Sequence, residues 1–169
     1  TALEFKHPGT LEEVDDMVGG GPFRLEPGQW TDDTSMALCL AESLVECHGF
    51  DPRDQMQRYV RWWLHGHLSS TGRCFDIGNT TREALARFAM DSTKAPFAGS
   101  TDPQRAGNGS IMRLAPVPLF LAMDPKAAIE HSADSSRTTH GATAAVDACR
   151  YLGALLVGAA RGAAKEELL

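Results

Sequence analysis

The chain has 169 residues, about one ordinary domain, and its 43% hydrophobic and 22% charged content excludes a disordered polymer. Acidic residues number 22 against 16 basic, and a net charge of -6 argues against a general nucleic-acid binder, which needs a basic face. A phosphorylated small ligand stays open, because a bound metal or a helix N-terminus supplies local positive potential.

In chain order, Asp15-Asp16 reads as a solvated helix face and Phe23 to Leu25 as a short strand. From Thr34 to His48, Met36, Leu40 and Leu44 fall at i, i+4 and i+8. Ala37, Ala41 and Val45 widen the apolar stripe, while Ser35, Glu42 and Glu46 lie elsewhere. Asp51-Pro52 reads as N-cap then first helical residue, opening a helix through Met56, Tyr59, Val60, Trp63 and Leu64. Thr80 or Thr81 caps a third helix, Arg82 to Met90, with Leu85 and Phe88 inward. Ser110 to Leu114 resembles a helical turn ended by Pro116 and Pro118. Asp124-Pro125 repeats the cap-and-proline start, and a last helical stretch runs from about Thr139 to Lys165. Each of Gly153, Gly158 and Gly162 costs that stretch roughly 1 kcal/mol against alanine, so close helix–helix approach is expected there. The pattern predicts an all-α domain.

Cys39, Cys47, Cys74 and Cys149 are scattered with no CxxC pair and read as reduced thiols of a cytoplasmic protein. Thr1 to Lys6 has no apolar signal-peptide core. Gly141 to Ala160 is the stretch most like a membrane span, but Asp147, Arg150, Tyr151 and its small residues fit a packed soluble helix better, and no membrane partner is expected.

Three polar segments carry the chemistry. In Thr31-Asp32-Asp33-Thr34, two adjacent carboxylates stand where a loop becomes a helix. They suit helix capping and dipole compensation, and they also suit a hard cation such as Mg²⁺, which takes oxygen ligands. In Gly107-Asn108-Gly109-Ser110-Ile111-Met112-Arg113, the glycines allow a tight turn and close backbone approach, with N–H groups available to a phosphate. Gly78-Asn79-Thr80-Thr81, preceded by Asp76, is a comparable polar turn. His140 stands at the mouth of the last helix, where the dipole favours its neutral form. His65-Gly66-His67 has no carboxylate or cysteine near it in sequence and reads as surface.

In this order the segments resemble the ADP-ribosylglycohydrolase family. The resemblance rests on Thr31 to Leu38, Phe75 to Thr80, Gly107 to Pro116 and Thr139-His140, and it spans nearly the whole chain. It implies an all-α fold with two Mg²⁺ ions, sometimes Mn²⁺, at the bottom of a cleft that receives ADP-ribose. Thr31, Asp32 and Asp33 match the N-terminal metal ligands, and Glu4 matches an acid/base or gating glutamate beside the metals. Gly107, Asn108, Gly109, Ser110 and Met112 match the loop lining the diphosphate and ribose, with Arg113 a further source of charge. His140 matches a histidine near the phosphate–ribose region, and Asp76 borders the cleft.

Two family features are missing: a Gly-Asp-Ala-Leu-Gly stretch before Thr1 and a later Asp-x-Asp-Thr motif with further metal ligands. The expectation is therefore a single domain over 1–169 that is an incomplete N-terminal portion of a larger bundle. A partner or missing segment would then cover the last helix. The implied activity is metal-dependent hydrolysis of the glycosidic bond between ADP-ribose and a protein side chain, arginine first, with Glu4 and Asp33 handling the proton. The alternatives are a non-catalytic ADP-ribose-binding homologue and a two-metal phosphohydrolase.

Overall fold

The computed structural model describes residues 3, 5–7, 9–10, 13–91 and 95–168. Helix α1, Asp32–Glu46, opens where the extended Thr31 ends, and its buried line is Met36, Cys39, Leu40, Ser43 and Leu44. This stripe is narrower than predicted: Val45 is exposed, whereas Ser35 is buried because its hydroxyl donates to the Thr31 carbonyl at 3.0 Å. Helix α2, Pro52–His65, starts as expected, with the Asp51 side chain accepting from the Arg53 and Asp54 amides, and ends at a left-handed Gly66. Helix α3, Asn79–Met90, begins earlier than predicted, after Gly78, with neither threonine as its cap.

The Ser110–Leu114 stretch makes turns rather than a helix, and Pro116 begins one instead of ending it: α4 is Pro116–Phe120. Proline suits a first helical turn because its missing N–H would have no partner there. The predicted last helix is three pieces, since α5, Pro125–Thr139, runs through Thr139 before α6, Thr143–Ala160, and α7, Lys165–Leu168. The expected Phe23–Leu25 strand is only an isolated bridge between Gly20 and Leu25. Asp15 and Asp16 are exposed, but lie outside any helix.

The apolar core gathers Met36, Leu40 and Leu44 of α1, Met56, Tyr59 and Trp62 of α2, Leu85 and Phe88 of α3, and Val117 of α4. Each such side chain, fully buried, contributes about 2 kcal/mol. Helix α5 is the hub, packing on α2, α3, α4 and α6. Its inward side is small and polar, with Ala128, Ser132, Ala133, Ser135, Ser136, Thr138 and Thr139 all buried. Ser132 and Thr138 donate to carbonyls of their own helix, at 2.7 Å each, so burying those hydroxyls is not penalised.

Helix α6 is long and apolar enough to cross a membrane by length and composition, and it packs along α5. The close approach predicted from its glycines occurs at Gly153, where an added Cβ would lie 2.4 Å from Ser132 Oγ. On the far side of the bundle, His67 does have a carboxylate, because folding brings Glu42 of α1 to 2.7 Å from its Nε2. The same Glu42 pairs with Arg58 of α2. Partial burial opposes the Glu42 charge, but hydrogen bonds from His67 and Arg58 hold its carboxyl below the usual range.

Candidate active site

The loop before α1 is tied down by Trp30, whose indole N–H donates to the Leu68 carbonyl at 3.4 Å and whose own carbonyl accepts from Ser70 Oγ at 2.6 Å. These bonds set the start of α1 against the loop that carries Asp76. Thr31 is the N-cap residue by position, but its side chain caps nothing and instead donates to Asp33 Oδ2 at 3.2 Å. Asp32 is only 7% exposed, while Asp33 faces solvent. Burial, then the charges of Asp76 and Asp33, push the Asp32 carboxyl up to about 8. The helix dipole opposes this, but its worth of about 0.3–1 kcal/mol is small beside a shift of that size.

Asp76 adopts a φ of 59°, a left-handed conformation that aspartate tolerates better than most residues. Beside it, Gly78, Asn79, Thr80 and Thr81 form the opening of α3, which has no acidic residue in its first turn and no side-chain cap. The unpaired amides of such a turn favour an anion.

The Gly107–Met112 loop and His140 complete the lining of the cavity. Neither Gly107 nor Gly109 has a positive φ, so backbone conformation does not require either glycine; space does at Gly109. A Cβ on Gly109 would lie 2.7 Å from His140 Cε1 and 2.9 Å from Thr81 Oγ1. His140 is not at the start of a long helix but caps the end of α5, so the expected dipole effect does not apply. Burial, followed by the nearby Arg113 charge, pushes its imidazole down to about 4, leaving it neutral. Arg113 does not reach the cavity as a ligand. It is fully buried, donates to the Gly109 carbonyl at 3.0 Å and lies 4.5 Å over the Tyr59 ring.

Asp32, Asp33, Asp76, Gly107, Asn108, Gly109, Met112 and His140 thus line one cavity of about 340 Å³. Thr31 stands one residue behind this wall. Ser110 lies deeper, buried against Ser136 Oγ at 2.9 Å, so it supports the loop rather than facing a ligand. Glu4 lies outside the described residues. Gly78-Asn79-Thr80-Thr81, a polar turn comparable in sequence to the glycine loop, lines the same cavity. Thr31, Asp32 and Asp33 offer hard oxygen donors to a cation, and a cation would relieve the repulsion at Asp32. Among the described residues, no three His, Cys, Asp or Glu side chains close into a metal cage, so this donor set is partial.

A family model described as ADP-ribosylglycohydrolase matches residues 1–169. The chain belongs to that family. It is 50% identical over 169 residues to the ADP-ribosylarginine hydrolase Tri1 of Pseudomonas putida (strain GB-1), covering 100% of this chain and 45% of that protein. The ADP-ribosyl-[dinitrogen reductase] glycohydrolase of Rhodospirillum rubrum is 35% identical over 148 residues, covering 83% of this chain and 44% of its own length. A solved structure described as an ADP-ribosylglycohydrolase-related protein complex superposes with a TM-score of 0.77 at 48% identity, covering 95% of this chain and 50% of that one. The chain therefore spans about half the length of these glycohydrolases. The all-α expectation holds for the described residues, which contain helices and no sheet.

Proposed function

We propose that the protein carrying this chain is a metal-dependent hydrolase that removes ADP-ribose from a modified protein side chain, arginine first among acceptors, by cleaving the glycosidic bond. The observation that carries this reading is that one cavity combines two kinds of lining. The carboxylates Asp32, Asp33 and Asp76 share it with an acid-free glycine loop and a neutral histidine. A ligand with both sugar hydroxyls and a diphosphate matches that combination. Support for the chemistry comes from relatives named as ADP-ribosylarginine hydrolases at 46–50% identity.

Thr31, Asp32 and Asp33 would hold Mg²⁺ or Mn²⁺, two ions by family resemblance. When bound, such ions supply neutralising charge and Lewis acidity toward ribose hydroxyls and a water. Asp33 is exposed and oriented by Thr31, which leaves it placed to accept a proton from an attacking water. Glu4 is the second acid/base group by the same resemblance. The first-turn amides of α3 and the Thr80 hydroxyl, in the same cavity as Gly107–Gly109, would bind the diphosphate.

The test is release of free ADP-ribose from an ADP-ribosylated arginine substrate by the whole protein with Mg²⁺. Asp32→Asn and Asp33→Asn should each lower turnover by about a hundredfold or more. No turnover by the wild type, or undiminished turnover by both variants, overturns the reading. The partial donor set favours one rival, a binder without catalysis, whose signature is calorimetric ADP-ribose binding with no cleavage. Release of AMP instead would identify a two-metal phosphohydrolase.

A further inference from the structure

Behind the glycine loop, Arg113 organises two parts of the cavity at once. Its Nη1 donates to the Gly109 carbonyl at 3.0 Å, and its Nη2 donates to Thr139 Oγ1 at 2.8 Å and Thr138 Oγ1 at 3.1 Å. Thr139 Oγ1 in turn lies 2.9 Å from His140 Nδ1. Thr139 and Arg113 are fully buried, and His140 is 2% exposed, so water does not stand in for a missing partner.

The direction of the second bond follows from the first. A guanidinium only donates, so Thr139 Oγ1 accepts from Arg113. If His140 Nδ1 carried a proton, it would also donate to that oxygen, and the Thr139 hydroxyl hydrogen would be a buried donor with no acceptor. Such an orphan costs about 1–3 kcal/mol. With Nδ1 bare, Arg113 donates to Thr139 and Thr139 donates to Nδ1, so the Thr139 hydroxyl both accepts and donates. The proton then sits on Nε2, the ring nitrogen on the side of Gly107 and Gly109, where added Cβ atoms would lie 3.8 and 3.1 Å from it.

We propose that Arg113 and Thr139 act as positioning residues that fix His140 in its Nε2-protonated form, so that it always presents a hydrogen-bond donor to an anionic or hydroxyl oxygen of the ligand in the cavity. The low proton affinity of the ring agrees, since burial and Arg113 keep it uncharged at neutral pH. This role rests on the ADP-ribose reading for its ligand, but the tautomer itself does not.

The experiment uses the whole protein labelled with ¹⁵N-histidine, read by NMR without ligand, followed by ADP-ribose titration. Wild type should show His140 neutral with Nε2 protonated. Thr139→Ser, which keeps the hydroxyl, should preserve that signature and the affinity. Thr139→Val, near in shape but without the hydroxyl, should give mixed tautomers and about tenfold weaker binding. An Nδ1-protonated wild type overturns the proposal, as does a folded Thr139→Val with an unchanged tautomer. Should Thr139→Val fail to fold, the wild-type spectrum decides alone. The predicted tautomer without any ADP-ribose binding upholds the relay and sinks only the functional reading.

Discussion

Gly107 and Gly109 flank the same asparagine, yet alanine should be accepted at one and rejected at the other. Neither has a positive φ, so an alanine at either site meets no intrinsic backbone penalty. At position 107 the new methyl would sit 3.8 Å from His140 Nε2, an ordinary contact. At position 109 it would sit 2.7 Å from His140 Cε1, 3.1 Å from Nε2 and 2.9 Å from Thr81 Oγ1. The imidazole cannot yield cheaply, because it is buried and hydrogen-bonded to Thr139, and Thr81 is held in the first turn of α3. Overpacking of this kind costs about 1–3 kcal/mol, and displacing both side chains should weaken ADP-ribose about ten- to a hundredfold. Gly107→Ala should change stability by less than about 0.5 kcal/mol and binding by less than threefold. Urea denaturation and calorimetric titration of both variants measure the two quantities. Equal behaviour of the pair, in either direction, would refute the assignment of the close approach to Gly109.

Other outcomes are expected on the same grounds. The His140 imidazole is held down at about 4 in the folded chain against 6.5 when unfolded, so its contribution to stability is present above pH 6.5 and lost as pH falls toward 4. Linkage puts that loss at about 3 kcal/mol, and His140→Gln should flatten this part of a denaturation profile taken at pH 7, 6, 5 and 4.5. Folding at pH 7 without metal must protonate the Asp32 carboxyl, held up at about 8; Asp32→Asn removes that cost, so in chelator its melting temperature should exceed that of wild type, whereas added Mg²⁺ should raise only the wild type. A scan showing the same Mg²⁺ shift in both would contradict the role of Asp32. Gly153→Ala should destabilise by about 2 kcal/mol despite alanine's better helix propensity, because its methyl would meet Ser132 at 2.4 Å; a gain in stability would place α5 and α6 further apart.

Reading by hydrophobic period and caps located α1 and α2 within two residues at each end, because Met36, Leu40 and Leu44 and the Asp51-Pro52 cap are strong local signals. The same reading gave no hint that α5 is the hub. Its buried face is serine, threonine and alanine, and a period sought in apolar residues passes over hydroxyls such as those of Ser132 and Thr138, which donate to their own backbone. The break at His140 was equally hidden, since its cause is tertiary: Gly141 N–H leaves the helix ladder to donate to the Ser100 carbonyl at 2.9 Å. The carboxylate pair and the glycine loop were legible as chemistry because their residue types are unusual together. That Arg113 faces inward and Glu42 meets His67 were not, as both depend on segments far apart in sequence.

Arg113 has one more effect, at longer range than its hydrogen bonds. Among the described residues no carboxylate pairs with this buried guanidinium; carbonyl and hydroxyl dipoles and the Tyr59 ring face surround it instead. A charge so placed is poorly screened, and its field extends through the thin layer of Gly109 and His140 into the cavity. In a chain of net charge -6, the buried Arg113 charge sets the glycine loop apart from the carboxylates that line the same cavity. An incoming dianion would feel which end of the cavity is which before any atom of it makes contact.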